Sequence, residues 1–126
     1  MLKSYKELIV WQKAIDLTVK IYKISSKFPR TELFGLTDQI RRSAVAIASN
    51  IAEGNCRGHI SEYIQFLQIA FASGAELETQ LLISYKVDYL SKETFSEINS
   101  LLDEVLRMLN AMLVKLKLNR KREPKT

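Results

Sequence analysis

The sequence predicts an all-α protein folded as an antiparallel up-down four-helix bundle with short connections. Three observations carry this. Apolar residues recur at three- and four-residue steps through four long segments, the spacing that lines one face of a helix. Only four Gly and two Pro interrupt 126 residues that are 47% hydrophobic, too few turn formers for a many-stranded β fold. Pro29, Gly54 and Gly58 stand between the periodic segments, where helices have to stop. A chain of this length makes one core that buries about two-thirds of its unfolded surface. Residues 1–119 are therefore expected to form a single domain and residues 120–126 a basic, disordered tail.

Helix one is expected from Ser4 to Ser26, with Leu8, Trp11, Ile15, Val19 and Tyr22 as its core face. Ser4-Tyr5-Lys6-Glu7 fits a capping box at its start, and Pro29 removes a donor and restricts Phe28 after its end. Helix two is expected from Glu32, behind Thr31 as N-cap, to Glu53, burying Leu36, Ile40, Ala44, Ile47 and Ile51, with Gly54-Asn55 and Gly58 as its stop. Its Ser43, Ala44, Ala46, Ala48, Ser49 and Ala52 have little bulk, which lets a neighbouring helix approach closely. Helix three, from Ser61 to Lys86, offers Tyr63, Phe66, Leu67, Ala70, Phe71, Leu77, Leu81 and Ile83 to the core. Its internal Gly74 costs about 1 kcal/mol against Ala and so marks a point of tight packing. After Val87–Leu90, Ser91 or Thr94 caps helix four, Thr94-Phe95-Ser96-Glu97 being a second capping box. The apolar seam of helix four is Ile98, Leu101, Leu102, Val105, Met108, Leu109, Met112, Leu113 and Leu116.

Several function classes are disfavoured. The opening MLKSYKELIVWQK is not a signal peptide, and no stretch approaches the roughly 20 apolar residues that cross a bilayer, so no membrane partner is expected. A lone Cys56 forms no intrachain disulfide and agrees with a reducing, cytoplasmic location. His59 is the sole histidine, in the polar connection Asn55–Ile60, and Cys56 with His59 supplies too few ligands for zinc. Glu76 and Glu78, two apart on a helix, face different ways and make no acid/base pair. The chain is expected to have no catalytic residues, metal or cofactor, and not to be an enzyme.

Charge placement is more informative than the net +5. Residues 1–30 and residues 115–126 each carry a net +5, and residues 31–114 carry −5. Lys6, Lys13, Lys20 and Lys27 repeat every seven residues with Lys23 alongside, close to one line down helix one. Lys115, Lys117, Arg120, Lys121, Arg122 and Lys125 follow at the other end of the chain. A charged helix face is commonly just solvated, but such a stripe also attracts polyanions irrespective of base sequence. Trp11, Tyr22, Phe66 and Phe71 read as core residues rather than as a stacking surface for single strands.

The run Phe28-Pro29-Arg30-Thr31-Glu32-Leu33-Phe34-Gly35-Leu36-Thr37-Asp38-Gln39-Ile40-Arg41-Arg42-Ser43-Ala44, followed by Ser49-Asn50-Ile51-Ala52-Glu53-Gly54, resembles the four-helix-bundle family of bacterial proteins encoded within intervening sequences of 23S ribosomal RNA genes. Leu8–Ala14, Phe66–Ala70 and Glu76–Leu81 extend the resemblance over roughly residues 5–115. It implies antiparallel bundles assembled as homopentameric barrels. The related accessory variability determinant of diversity-generating retroelements binds nucleic acid and a reverse transcriptase. Where that family often has Ser-Ile-Pro-Ser-Asn, this chain has Ala46-Ile47-Ala48-Ser49-Asn50, which predicts a straighter helix two.

Arg41, Arg42, Asn50, Glu53 and Arg57 match the family motif by position. On a structural reading, Arg41 or Arg42 pairs with Glu76 or Glu78 across the bundle, while Asn50 and Glu53 satisfy the end of helix two. On a functional reading, an arginine meets a subunit interface or a phosphate. The expected function is that of a non-enzymatic, weakly selective nucleic-acid-binding homo-oligomer, RNA favoured. Its candidate contacts are Lys6, Lys13, Lys20, Lys23, Lys27, Arg41, Arg42 and Arg57. The alternative is a protein-interaction scaffold or accessory subunit for a polymerase or reverse transcriptase.

Overall fold

The computed structural model describes residues 4–122. A 3-10 turn, Tyr5–Glu7, precedes α1 (Ile9–Ser25); a second, Arg30–Glu32, precedes α2 (Leu36–Cys56); α3 (Ile60–Lys86) and α4 (Lys92–Arg122) follow. The described residues contain four α-helices and no strands. Each helix packs on its chain neighbours and α1 closes onto α4, so the four form a ring with no close backbone approach across its diagonals. Cross-helix contacts run antiparallel throughout. Arg41 of α2 meets Ser25 of α1, Asn55 meets Tyr63, Tyr85 stacks on Phe95 at 4.8 Å, and Lys13 and Lys20 meet Glu104 and Glu97.

The core face of α1 is only partly the one expected: Leu8 and Trp11 pack against the core as read, but the rest of that stripe does not. Val10, Ala14, Leu17, Ile21 and Ser25 are buried, whereas Val19 and Tyr22 are 47% and 44% exposed and Ile15 also reaches solvent. Both sets keep helical spacing; the buried one includes the large Leu17 and Ile21, and beside it α2 comes close. There the Thr18 hydroxyl, which donates to Ala14 O at 2.7 Å, also lies 3.2 Å from Ala44 O of α2. Phe71 and Ile83 of α3, likewise expected inside, are exposed, with Ile64, Ser73 and Ser84 buried instead. The core positions read for α2 and α4 agree with the structure: Ile40, Ala44, Ile47, Ile51, Ile98, Leu102, Val105, Leu109 and Leu113 are buried, with Leu36, Leu101, Met108, Met112 and Leu116 packed against them. A fully buried Leu or Ile contributes about 1.5–3 kcal/mol of transfer free energy, so this seam is what closes the ring.

Helix ends also differ in detail. The Ser4 hydroxyl accepts from Lys6 N at 3.1 Å and caps the 3-10 turn rather than α1. Leu8 is then extended, and α1 starts at Ile9, with Gln12 Nε2 donating to Lys6 O and Tyr5 edge-on to Trp11 tying the turn back. Thr31 falls inside the second 3-10 turn; the N-cap of α2 is Gly35, and the first helix N–H, Leu36 N, is taken by the Glu32 carboxylate at 3.3 Å. Gly54 lies within α2, which continues to Cys56, and the left-handed residue of the turn is Gly58 at φ +76°. At α4 the cap is Ser91, accepting from Thr94 N, and Glu97 turns away to Lys20. The helix runs on through Arg122 rather than ending at Asn119; the remainder of the expected tail, 123–126, lies outside the described residues.

Two tyrosines make the fold sensitive to alkali. Burial pushes the Tyr63 phenol above its ordinary 10.0, only partly offset by the hydrogen bond it accepts from Asn55, and the bond Tyr89 donates to Glu32 Oε2 at 2.8 Å raises Tyr89 as well. The folded state therefore keeps protons that the unfolded chain gives up. The contribution of these two groups to stability is full below pH 10.0 and is lost as pH rises through 10.0 and past the folded values. Tyr63→Phe is expected to flatten that alkaline decline, measured as denaturation midpoints from neutral pH to beyond the tyrosine range.

Candidate nucleic-acid interface

The lysine stripe of α1 faces α4. Lys13 Nζ lies 2.8 Å from Glu104 Oε1 and Lys20 Nζ 3.5 Å from Glu97 Oε1, so two basic residues seven apart meet two acids seven apart on the antiparallel partner. These are inter-helix pairs flanking a seam, the arrangement that sets register in packed helices. With side chains 32–68% exposed they contribute about 0.2–1 kcal/mol each, but they lower the charge the stripe offers to a polyanion. Lys6, Lys23 and Lys27 are exposed and make no side-chain ion pair among the described residues.

The motif arginines also go elsewhere than expected. Arg42 Nε pairs with Asp38 Oδ2 at 2.8 Å, one turn back on its own helix, and Arg57 pairs with Glu53 at 2.8 Å while lying over the Phe66 ring. Arg41 reaches α1: Nε donates to Ser25 Oγ at 2.8 Å, Nη2 lies 3.5 Å from Tyr22 O, and the guanidinium lies over the Tyr22 ring at 4.7 Å. Neither Arg41 nor Arg42 pairs with Glu76 or Glu78, which are exposed and outside any ion pair among the described residues. Arg41 and Arg42 lie near the start of α2, where partners one turn away or across on α1 are closer to hand than α3. Asn50 bonds back to Ala46 O within the helix, and Glu53 braces the helix end through Arg57.

A run of positive charge in no ion pair among the described residues stands at the far end of α4 as well. Lys13 opposite Glu104 and Lys20 opposite Glu97 place the first residue of α1 level with about residue 108 of α4, so the last turns of α4 extend past it. Lys115, Lys117, Arg120, Lys121 and Arg122 lie there, none in an ion pair among the described residues, with exposed Val114 and Leu118 between them. The sequence marked these cations but treated most of them as a disordered tail. Helical periodicity simply continues through Leu116, which packs on the core and keeps the helix going.

The sequence matches the 23S rRNA-intervening sequence protein family over residues 6–111. The chain belongs to that family. A solved structure of similar fold is a protein of unknown function from the S23 ribosomal protein family, from Bacteroides thetaiotaomicron. It is 26% identical, with a TM-score of 0.76 over 83% of this chain and 98% of that one. No curated relative matches. The family match stops at residue 111, so the basic end of α4 lies outside it and is a feature of this chain rather than of the matched region. No group of His, Cys, Asp and Glu able to hold a metal occurs among the described residues, and none of their helices is long and apolar enough to cross a membrane.

Proposed function

We propose that this chain is a non-enzymatic, weakly sequence-selective nucleic-acid-binding protein, with RNA the favoured polymer, working in the cytoplasm as a homo-oligomer, on the family resemblance a pentamer. The observation that carries the reading is the cluster of five cations from Lys115 to Arg122 on one helix, none in an ion pair among the described residues. Lysine and arginine on such a helix bind phosphates by releasing counterions, without reading bases. The family's rRNA designation supports RNA over other polyanions. Binding of unrelated RNA and DNA, followed by fluorescence anisotropy across a salt series, should weaken linearly on logarithmic axes with a slope of about −3 for four or five phosphate contacts. No association at low salt overturns the reading.

Self-association is supported by an apolar strip that the monomer leaves open: Ile15, Val19 and Tyr22 of α1 with Val45 of α2. Contiguous apolar surface of this kind is what a second copy would cover. Val19→Asp is expected to shift the light-scattering mass toward the monomer with helicity unchanged, because Val19 is already half exposed. The accessory-subunit reading draws on a different place. Leu33 and Phe34, the latter 92% exposed, project from the α1–α2 connection at the bundle end opposite the basic turns. Retention of a polymerase or reverse transcriptase after nuclease treatment, lost on Phe34→Ala, would favour it.

A further inference from the structure

We propose that the corner between α1 and α2 holds a pocket for a phosphate group, built by Arg41, Arg30, Thr37 and Ser25. A cavity of about 320 Å³ opens there, with Phe28 and Leu33 forming its apolar side. It lies at the opposite end of the bundle from the basic turns of α4 and needs neither those cations nor the polymer-binding reading.

Arg41 is held in place by its bond to Ser25 Oγ and by the Tyr22 ring, and these contacts leave its Nη1 donors unused. A guanidinium already fixed in orientation loses little freedom on binding an anion, and its planar fork suits a phosphate. Arg30, on the rim, has no ion pair among the described residues. The nearest acids are committed elsewhere: Glu32 to Leu36 N and Tyr89, Asp38 to Arg42. Two cations therefore flank the cavity with no carboxylate against them.

Thr37 is the second, independent sign. Its side chain lines the cavity, the residue is 4% exposed, and its hydroxyl makes no hydrogen bond among the described residues, while its oxygen is not sealed off from the cavity. A hydroxyl that opens onto a cavity with its proton uncommitted can donate to a phosphate oxygen there. It also sits in the first turn of α2, whose dipole favours negative charge, with the Leu36 N–H already taken by the Glu32 carboxylate. The cavity is larger than inorganic phosphate alone requires, and its apolar side accommodates the organic group of a phosphate monoester. Such a group comes from a free nucleotide or from the phosphorylated end of a nucleic-acid strand.

The test is NMR titration of the full chain at constant ionic strength, reading the Arg41 Nε–H and Thr37 methyl resonances. Inorganic phosphate should shift both with saturation, and a nucleoside monophosphate should do so at lower concentration. Arg30→Ala and the isosteric Thr37→Val should each weaken binding by about tenfold or more, the effect of losing one hydrogen bond to a charged group. Arg30 is exposed and Thr37→Val keeps its shape, so both variants retain the fold. A terminally phosphorylated oligonucleotide that outcompetes its hydroxyl counterpart for these resonances identifies a strand end as the source, and a nucleotide that outcompetes both identifies the small molecule. Resonances that do not saturate with phosphate or nucleotide, or affinities unchanged in both variants, overturn the proposal.

Discussion

Reversing charge at Lys115, Lys117 and Arg120 to Glu is expected to lower RNA affinity by about a hundredfold or more at low salt and to reduce the salt slope by about two. Each cation removed from a phosphate contact takes away one counterion's worth of release, and each carboxylate added repels the backbone it faces. The helix should persist, because Leu113 is buried and Leu116 packs on the core from the other side of these turns. Lys13→Ala is the contrasting variant. Its ammonium is already within 2.8 Å of Glu104, so its loss should change RNA affinity by less than about threefold and stability by no more than about 1 kcal/mol. Alanine is the better choice here, since Lys13→Glu would set two carboxylates side by side and confound binding with stability. Were Lys13→Ala and Lys20→Ala to abolish binding while the triple reversal did nothing, the polymer would run along the α1–α4 groove and the basic end of α4 would be a solvated terminus.

The helix count, the approximate bounds of α3 and the core faces of α2 and α4 were legible because each segment has one dominant apolar stripe and strong punctuation. Helix α1 was not, because it carries two. Val10, Ala14, Leu17 and Ile21 repeat with the same spacing as Ile15, Val19 and Tyr22, and periodicity cannot choose between equal stripes. A discriminating signal was present in the charges. Lys13 and Lys20 are spaced like Glu97 and Glu104, and complementary heptad-spaced charges on two antiparallel helices belong beside a shared seam. Taken together they orient α1 correctly and show in advance that two of the five expected lysine contacts are spoken for. The partners of Arg41 were beyond reach, since Ser25 and Tyr22 are brought to it by how the α1–α2 connection folds, not by any spacing. Thr37 was passed over because a threonine near a helix start is ordinary until its burial and lack of a partner are known.

Gly54→Val is expected to destabilise the protein by about 3 kcal/mol or more and lower its melting temperature by about 10 °C. A Cβ at position 54 would lie 2.7 Å from Phe66 Cβ and 3.1 Å from Tyr63 Cδ1, both on α3. Phe66 Cβ is fixed to its backbone, so relief requires α2 and α3 to move apart, and valine adds two further carbons at that point. The few tenths of a kcal/mol that valine recovers in helix propensity cannot offset this. The other glycines separate the causes. At Gly74 the obstructing atom is the end of the half-buried Leu106 side chain, which can rotate, and Ala gains about 1 kcal/mol in propensity, so Gly74→Ala should remain within about 1 kcal/mol of the parent. Nothing surrounds Gly58, where Ala should cost only the roughly 1 kcal/mol of a left-handed conformation. Thermal and chemical denaturation of the three variants should give Gly54→Val far below the others. If it matched Gly74→Ala, α2 and α3 would not be in backbone-close contact at this crossing, and the packing that places Arg57 over Phe66 would fall with it.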